Sequence, residues 1–176
     1  MKAVFVDKDG TLVENVQYNV DPARVALTPG AAEAVHALAA HGYRVIVVSN
    51  QPGVALGRFG EEKLKGIERR LRQLLPRLDG FYWCPHAPGA GCGCRKPAAG
   101  LLERAAREHG IELAESWMIG DILDDIEAGR RAGCRTVLID NGNETEWQLT
   151  AERVPHRVAH DLAEAAARVL EIEETA

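Results

Sequence analysis

The chain has 176 residues, 46% hydrophobic and 27% charged, and its 21 basic against 26 acidic residues leave a formal charge of −5. A chain of this length buries roughly 70% of the surface its unfolded form exposes, and the balance of apolar and charged residues excludes intrinsic disorder. The net negative charge excludes the electrostatic footprint of a nucleic-acid binder, and no apolar run approaches the ~20 residues of a membrane span. A strand-like segment directly after Met1 leaves no room for a secretory leader, so a cytoplasmic location is expected.

Short apolar runs alternate with helical patterns. Lys2–Val6 reads as a buried strand, and Ala31–Ala40 as an Ala-rich helix closed by His41-Gly42. Tyr43–Val48 is a β-branched second strand, and Glu61–Leu75 carries Leu64, Ile67, Leu71 and Leu75 at helical spacing. Gly80–Trp83 predicts a third strand, Pro97 to His109 a helix opened by proline, and Trp117–Ile119 a fourth strand. Leu123–Ala132 predicts a helix, Thr136–Ile139 a fifth strand, His156–Val158 a short sixth, and Leu162–Ile172 a closing helix. The alternation predicts an α/β fold: a Rossmann-like, doubly wound, mostly parallel sheet with helices on both faces, as one domain over 1–176. The segments Asp7–Thr28, Asn50–Gly60 and Cys84–Pro97 are long for such connections, and long loops in compact domains tend to carry function.

Four groups of polar residues fall at predicted strand ends, where ligands bind in open α/β sheets. Asp7-Lys8-Asp9-Gly10-Thr11 follows the first strand; an Asp-Gly pair alone is a common turn, but DxDGT directly after the opening strand is far more specific. Ser49-Asn50 ends the second strand with a hydroxyl and an amide able to donate to a phosphate. Arg95-Lys96-Pro97 places two cations near a helix N-terminus, which itself favours anions. Gly120-Asp121 follows the fourth strand, with Asp125 four residues on.

Three of the four cysteines crowd beside a histidine as Cys84-x-His86-x5-Cys92-x-Cys94. In a reducing compartment these do not read as disulfides. Three thiolates and one imidazole make a closed, tetrahedral zinc set. The ion would pin a loop built of Pro85, Pro88, Gly89, Gly91 and Gly93, and would hold Arg95 and Lys96 at the site's rim. Cys134 reads instead as a small core residue, Trp83 and Trp117 as packing, and Trp147 as an aromatic in a polar loop.

In the order Asp, Ser, Lys, Asp, these motifs resemble the haloacid dehalogenase-like (HAD-like) phosphatase superfamily across nearly the whole chain. More narrowly, Ser49-Asn50-Gln51-x-Gly53, Cys84-Pro85-His86 and Cys92-x-Cys94-Arg95-Lys96-Pro97 resemble the subgroup of the D-glycero-D-manno-heptose 1,7-bisphosphate phosphatases and histidinol-phosphate phosphatase domains. The resemblance implies Mg2+-dependent hydrolysis of a small phosphorylated metabolite through a phosphoaspartyl intermediate. Asp7 would be the nucleophile, Asp9 the general acid and base, and Lys96 the cation offsetting their charge. Magnesium would be held by Asp7, Asp121 and the Asp9 backbone carbonyl, while Asp125 would orient Lys96 or the metal's waters. Thr11, Ser49, Asn50, Arg58 and Arg95 would bind substrate. A metal is needed on electrostatic grounds, since two like unit charges 4 Å apart cost about 4 kcal/mol at an effective dielectric of 20.

The implied substrate is heptose 1,7-bisphosphate, cut at its 7-phosphate in the supply of nucleotide-heptose for lipopolysaccharide core. Histidinol phosphate or another small sugar phosphate is the alternative, and a receiver-like phospho-Asp signalling domain is the non-enzyme alternative. A receiver would place its acidic pair adjacent in sequence and has no use for zinc. About 40 residues separate Asp9 from Ser49, too few for a large cap domain beside a loop and a helix, so an open site on a monomer is expected. The resemblance departs at Lys8, Pro52, Leu56 and Ala98-Ala99, all in substrate-facing stretches.

Overall fold

The computed structural model describes residues 1–174; residues 175 and 176 of the expected domain lie outside the described residues. Strands β1 (Ala3–Val6), β2 (Arg44–Asn50), β3 (Leu78–Cys84), β4 (Trp117–Gly120), β5 (Arg135–Ile139) and β6 (Arg157–Ala159) form a sheet in the order β3-β2-β1-β4-β5-β6. Each neighbouring pair is parallel. Helices α1 (Ala31–Ala40), α2 (Glu61–Leu74), α3 (Gly100–His109), α4 (Leu123–Arg131) and α5 (Leu162–Glu174) cover both faces.

The central strands are apolar along their length because both faces are covered. Alternation divides their side chains between two layers. Val4, Val6, Val45, Val47 and Ile119 pack with Val35 and Leu38 of α1, Ile67 and Leu71 of α2, and Ala165 and Val169 of α5. Ala3, Phe5, Ile46, Val48 and Met118 pack on the other side with Leu101, Leu102 and Ala105 of α3 and Ala128 of α4. Helix α4 comes close because residue 129 is glycine: a Cβ there would lie 2.6 Å from that of Met118.

Several boundaries differ from the sequence reading. Helix α3 starts at Gly100 and not at Pro97. The preceding residues spend their backbone bonds elsewhere, Ala98 N–H donating to the Arg95 carbonyl at 2.8 Å and Gly100 N–H to that of Gly93 at 3.0 Å. A Cβ at residue 100 would collide with the Gly93 carbonyl, so the helix start is packed onto the cysteine loop. Strand β3 begins two residues earlier than expected, at Leu78, which pairs with Val45, and β2 runs on to Asn50, because Ser49 and Asn50 pair with Trp83 and Cys84. Strand β6 is shifted by one residue.

Strand β1 lies between β2 and β4, so successive crossovers leave it in opposite directions and open a crevice at its carboxyl end. Pairing continues one residue beyond β1, where Asp7 N–H donates to the Ile119 carbonyl at 2.9 Å. Between Thr11 and α1 the chain makes only a loop with one short 3-10 turn, Pro22–Arg24, and no large cap covers the crevice. No helix among the described residues is long and apolar enough to cross a membrane.

Candidate active site

Three carboxylates meet one ammonium at the crevice. Asp7 follows β1, Asp121 follows β4, and Asp125 lies in the first turn of α4; one oxygen from each lies within 4.8 Å of the others. Lys96 arrives from the cysteine loop, and its Nζ sits 2.6 Å from Asp7 Oδ1 and 2.6 Å from Asp125 Oδ1. It also donates to the Val48 carbonyl at 2.9 Å. All four side chains are buried. Burial raises Asp7 to about 7 even against the attraction of Lys96. Burial, and then the charge of Asp7, raise Asp121 to about 7. Burial also raises Asp125 despite Lys96. Burial pulls the Lys96 ammonium down, but its ion pairs with Asp125 and Asp7 outweigh that and hold it above its ordinary value. A cluster with this excess of negative charge fits a hard divalent cation with oxygen ligands, and Asp7 and Asp121 are the carboxylates with capacity to hold it.

The other side of the crevice is built from β2. Ser49 is buried, with its hydroxyl receiving Gln51 Nε2 at 2.8 Å. The same amide donates to Asp9 Oδ2 at 3.2 Å, while Lys8 Nζ lies 2.7 Å from Asp9 Oδ1. Asp9 therefore stands apart from the buried carboxylate cluster, at the mouth. Asn50 is used differently from the expectation that its amide faces substrate. Its Nδ2 donates to the Lys96 carbonyl at 3.0 Å and its Oδ1 accepts the Lys96 N–H at 2.9 Å, so it clamps the backbone that carries the Lys96 ammonium. Thr11 likewise points inward, its hydroxyl donating to Asp121 Oδ1 at 3.2 Å.

The cysteine loop closes as its spacing implies. His86 Nδ1 is 3.3 Å from both Cys84 Sγ and Cys94 Sγ; Cys84 Sγ is 3.0 Å from Cys94 Sγ and 3.7 Å from Cys92 Sγ. These separations exceed the ~2.05 Å of a disulfide. They approach the edges of about 3.7 Å expected of a tetrahedron with Zn–S bonds near 2.3 Å. Burial pushes the Cys84 thiol up to about 12, while the Arg95 N–H draws Cys92 down to about 6. A soft dication is what would hold all three as thiolates. Cys134 is buried, as expected, and is not part of this set.

Arg95 lies on the loop beside Lys96, with Nη1 reaching the His86 carbonyl at 3.4 Å, and shares a cavity with Asp124 and Arg131. Arg58 is exposed, its guanidinium 5.3 Å from the Tyr18 ring centroid. The structure gives Arg58 no contact with the carboxylate cluster. Several participants carry little signal in the sequence. For Gln51 the signal is its position two residues beyond Ser49. Asn141, Asn143 and Glu144 belong to the loop after β5; a polar Asp-Asn-Gly-Asn run at a strand's carboxyl end was the only hint. His156, without a motif, has a structural role, its Nδ1 accepting the Thr136 N–H at 3.0 Å.

Residues 93–165 match the family model described as HAD-hydrolase-like. The chain is 32% identical to the D-glycero-beta-D-manno-heptose-1,7-bisphosphate 7-phosphatase of Bordetella bronchiseptica, over 97% of this chain and 99% of that one. It is 37% identical to the enzyme of the same name from Haemophilus ducreyi, over 86% and 87% of the two chains. The crystal structure of D,D-heptose 1,7-bisphosphate phosphatase from B. bronchiseptica, complexed with magnesium and phosphate, matches with a TM-score of 0.86 and 31% identity, over 98% of this chain and 99% of that one.

Proposed function

The chain belongs to the HAD-like phosphatase family and is a phosphoric monoester hydrolase, and from that premise we propose that it removes the 7-phosphate of D-glycero-D-manno-heptose 1,7-bisphosphate with the help of magnesium. The observation that carries the reading is the cluster of Asp7, Asp121 and Asp125 around the single ammonium of Lys96. Asp7 attacks phosphorus in line, forming an acyl phosphate on Asp7 as the bond from phosphorus to the sugar oxygen breaks. Asp9, at the mouth, gives its proton to the departing oxygen. It then takes one from the water that attacks phosphorus and frees Asp7. Lys96 neutralises Asp7 and the charge of the transferring group, held in place by Asp125 and by the Asn50 clamp. Ser49 and the amides beside it receive the phosphoryl oxygens. Asp7, Asp121 and the Asp9 carbonyl would hold the magnesium ion, which when bound supplies the positive charge that lets an anionic nucleophile approach an anionic ester.

The Cys84, His86, Cys92 and Cys94 set would hold a structural zinc whose task is to fix the loop that presents Arg95 and Lys96. Arg95, with Arg58 from the facing loop, would take the second phosphate of the substrate. With no large cap the site is open to a sugar bisphosphate, and the protein would work as a cytoplasmic monomer. A panel of phosphorylated metabolites, assayed with magnesium on zinc-loaded protein, tests this. The heptose bisphosphate should give the highest kcat/KM, with phosphate released from C7. A preference for histidinol phosphate would overturn the substrate.

A further inference from the structure

The loop after β5 reaches the carboxylate cluster through three separate tethers. Asn141 Nδ2 donates to the Gly10 carbonyl at 2.9 Å, Asn143 Nδ2 to Asp121 Oδ2 at 2.6 Å, and Glu144 Oε2 accepts the Leu123 N–H at 2.6 Å. The loop thus straps the turn after β1 to the turn after β4, the two segments carrying Asp7 and Asp121. Asn141 Oδ1 also accepts the Asn143 N–H at 3.2 Å, which fixes where the Asn143 amide points. Resting on the reading of Asp7 and Asp121 as metal ligands, we propose that Asn143 is a positioning residue for the divalent cation, acting through Asp121.

Three features carry the assignment. First, Asp121 receives one neutral donor on each oxygen, Asn143 on Oδ2 and Thr11 on Oδ1, which sets the plane of the carboxylate. Each oxygen keeps lone-pair capacity for a cation. Second, neither donor carries charge. Lys96 is committed to Asp7 and Asp125, so the negative charge of Asp121 stays available to a metal. Third, the approach depends on residue 10 having no side chain. A Cβ there would collide with Asp121 Oδ2 and lie 2.5 Å from Asn143 Nδ2, and Gly10 has φ +86°. The glycine of the DxDGT motif thereby admits an amide from a residue 133 positions further along the chain. Asn143 is itself exposed and packs into no core, so the strength of its contact with a buried carboxylate is spent on the site and not on the fold.

Groups that orient metal ligands typically account for 10–100-fold in metal affinity or activity. The test is Mn2+ binding, followed by water-proton relaxation on zinc-loaded, magnesium-free protein without substrate. Wild type, Asn143→Ala, Asn143→Lys and Asp121→Ala are compared, with thermal unfolding of each. Asn143→Ala should weaken Mn2+ binding about 10–100-fold with an unchanged Tm, and saturating Mg2+ should restore most of its kcat. Asn143→Lys should abolish binding by setting an ammonium against Asp121, again without loss of Tm. Mn2+ affinity within twofold of wild type in both Asn143 variants overturns the assignment. Equal Mn2+ binding by wild type and Asp121→Ala would instead overturn the metal reading on which it rests.

Discussion

Replacing Lys96 by methionine keeps the aliphatic stem and deletes the only ammonium that touches Asp7 and Asp125 among the described residues. At 2.6 Å each contact is worth about 6 kcal/mol at an effective dielectric of 20, before the cost of desolvation is set against it. Removing one partner of a buried ion pair costs about 3–5 kcal/mol net. The cost should depend on pH, because the stranded carboxylates can escape it by binding protons. Burial already raises both above the ordinary value of 3.8, and losing Lys96 raises them further. The folded form then keeps protons that the unfolded chain has released, so stability falls as pH rises. Urea unfolding of zinc-loaded, magnesium-free protein should show Lys96→Met destabilised by about 3–5 kcal/mol at pH 8 and by clearly less at pH 5. A loss independent of pH, or one below about 1 kcal/mol at pH 8, would refute the account of Lys96 as the counter-charge of the cluster.

Asp7→Asn should leave the fold intact while turnover drops below roughly 10⁻³ of wild type; near-normal phosphate release would remove the covalent route. Wild type without magnesium should lose stability as pH climbs from about 4 through 7, because Asp7 and Asp121 titrate near 7 in the folded state and near 3.8 when unfolded. Added magnesium should flatten that slope, which thermal unfolding across the pH range measures. Elemental analysis should find one zinc per chain. Stripping it should lower turnover even after magnesium is restored, and unchanged turnover would separate the cysteine loop from Lys96.

Much of the fold was legible because its signals are local. A buried parallel strand such as Ala3–Val6 is apolar throughout, and Glu61–Leu74 repeats its leucines at helical spacing. The placing of polar groups at strand ends was legible for the same reason: Asp7, Ser49 and Asp121 each lie on a strand or within one residue of its end. The start of α3 was not legible, since Pro97 looks like a first-turn proline until Gly100 is seen bonded back to Gly93. Nor was the role of Asn50, whose amide is an ordinary phosphate donor until Lys96 is found against it.

The sequence by itself determined which chemical groups are available and on which segment each one rides: two aspartates after β1, a serine on β2, a lysine behind a metal-type cysteine loop, an aspartate after β4. Only the tertiary structure decided how they share charge and who holds them. Placing β1 between β2 and β4 brings Lys96 onto Asp7 and Asp125, sets Gln51 between Ser49 and Asp9, and lays the loop at 141–144 across Asp121. The reason is range. Residue identity and strand position are written in a few neighbouring residues, whereas the side-chain hydrogen bonds that orient the Asp121 carboxylate join segments 22 and 110 positions apart. Sheet order alone determines which of those segments meet.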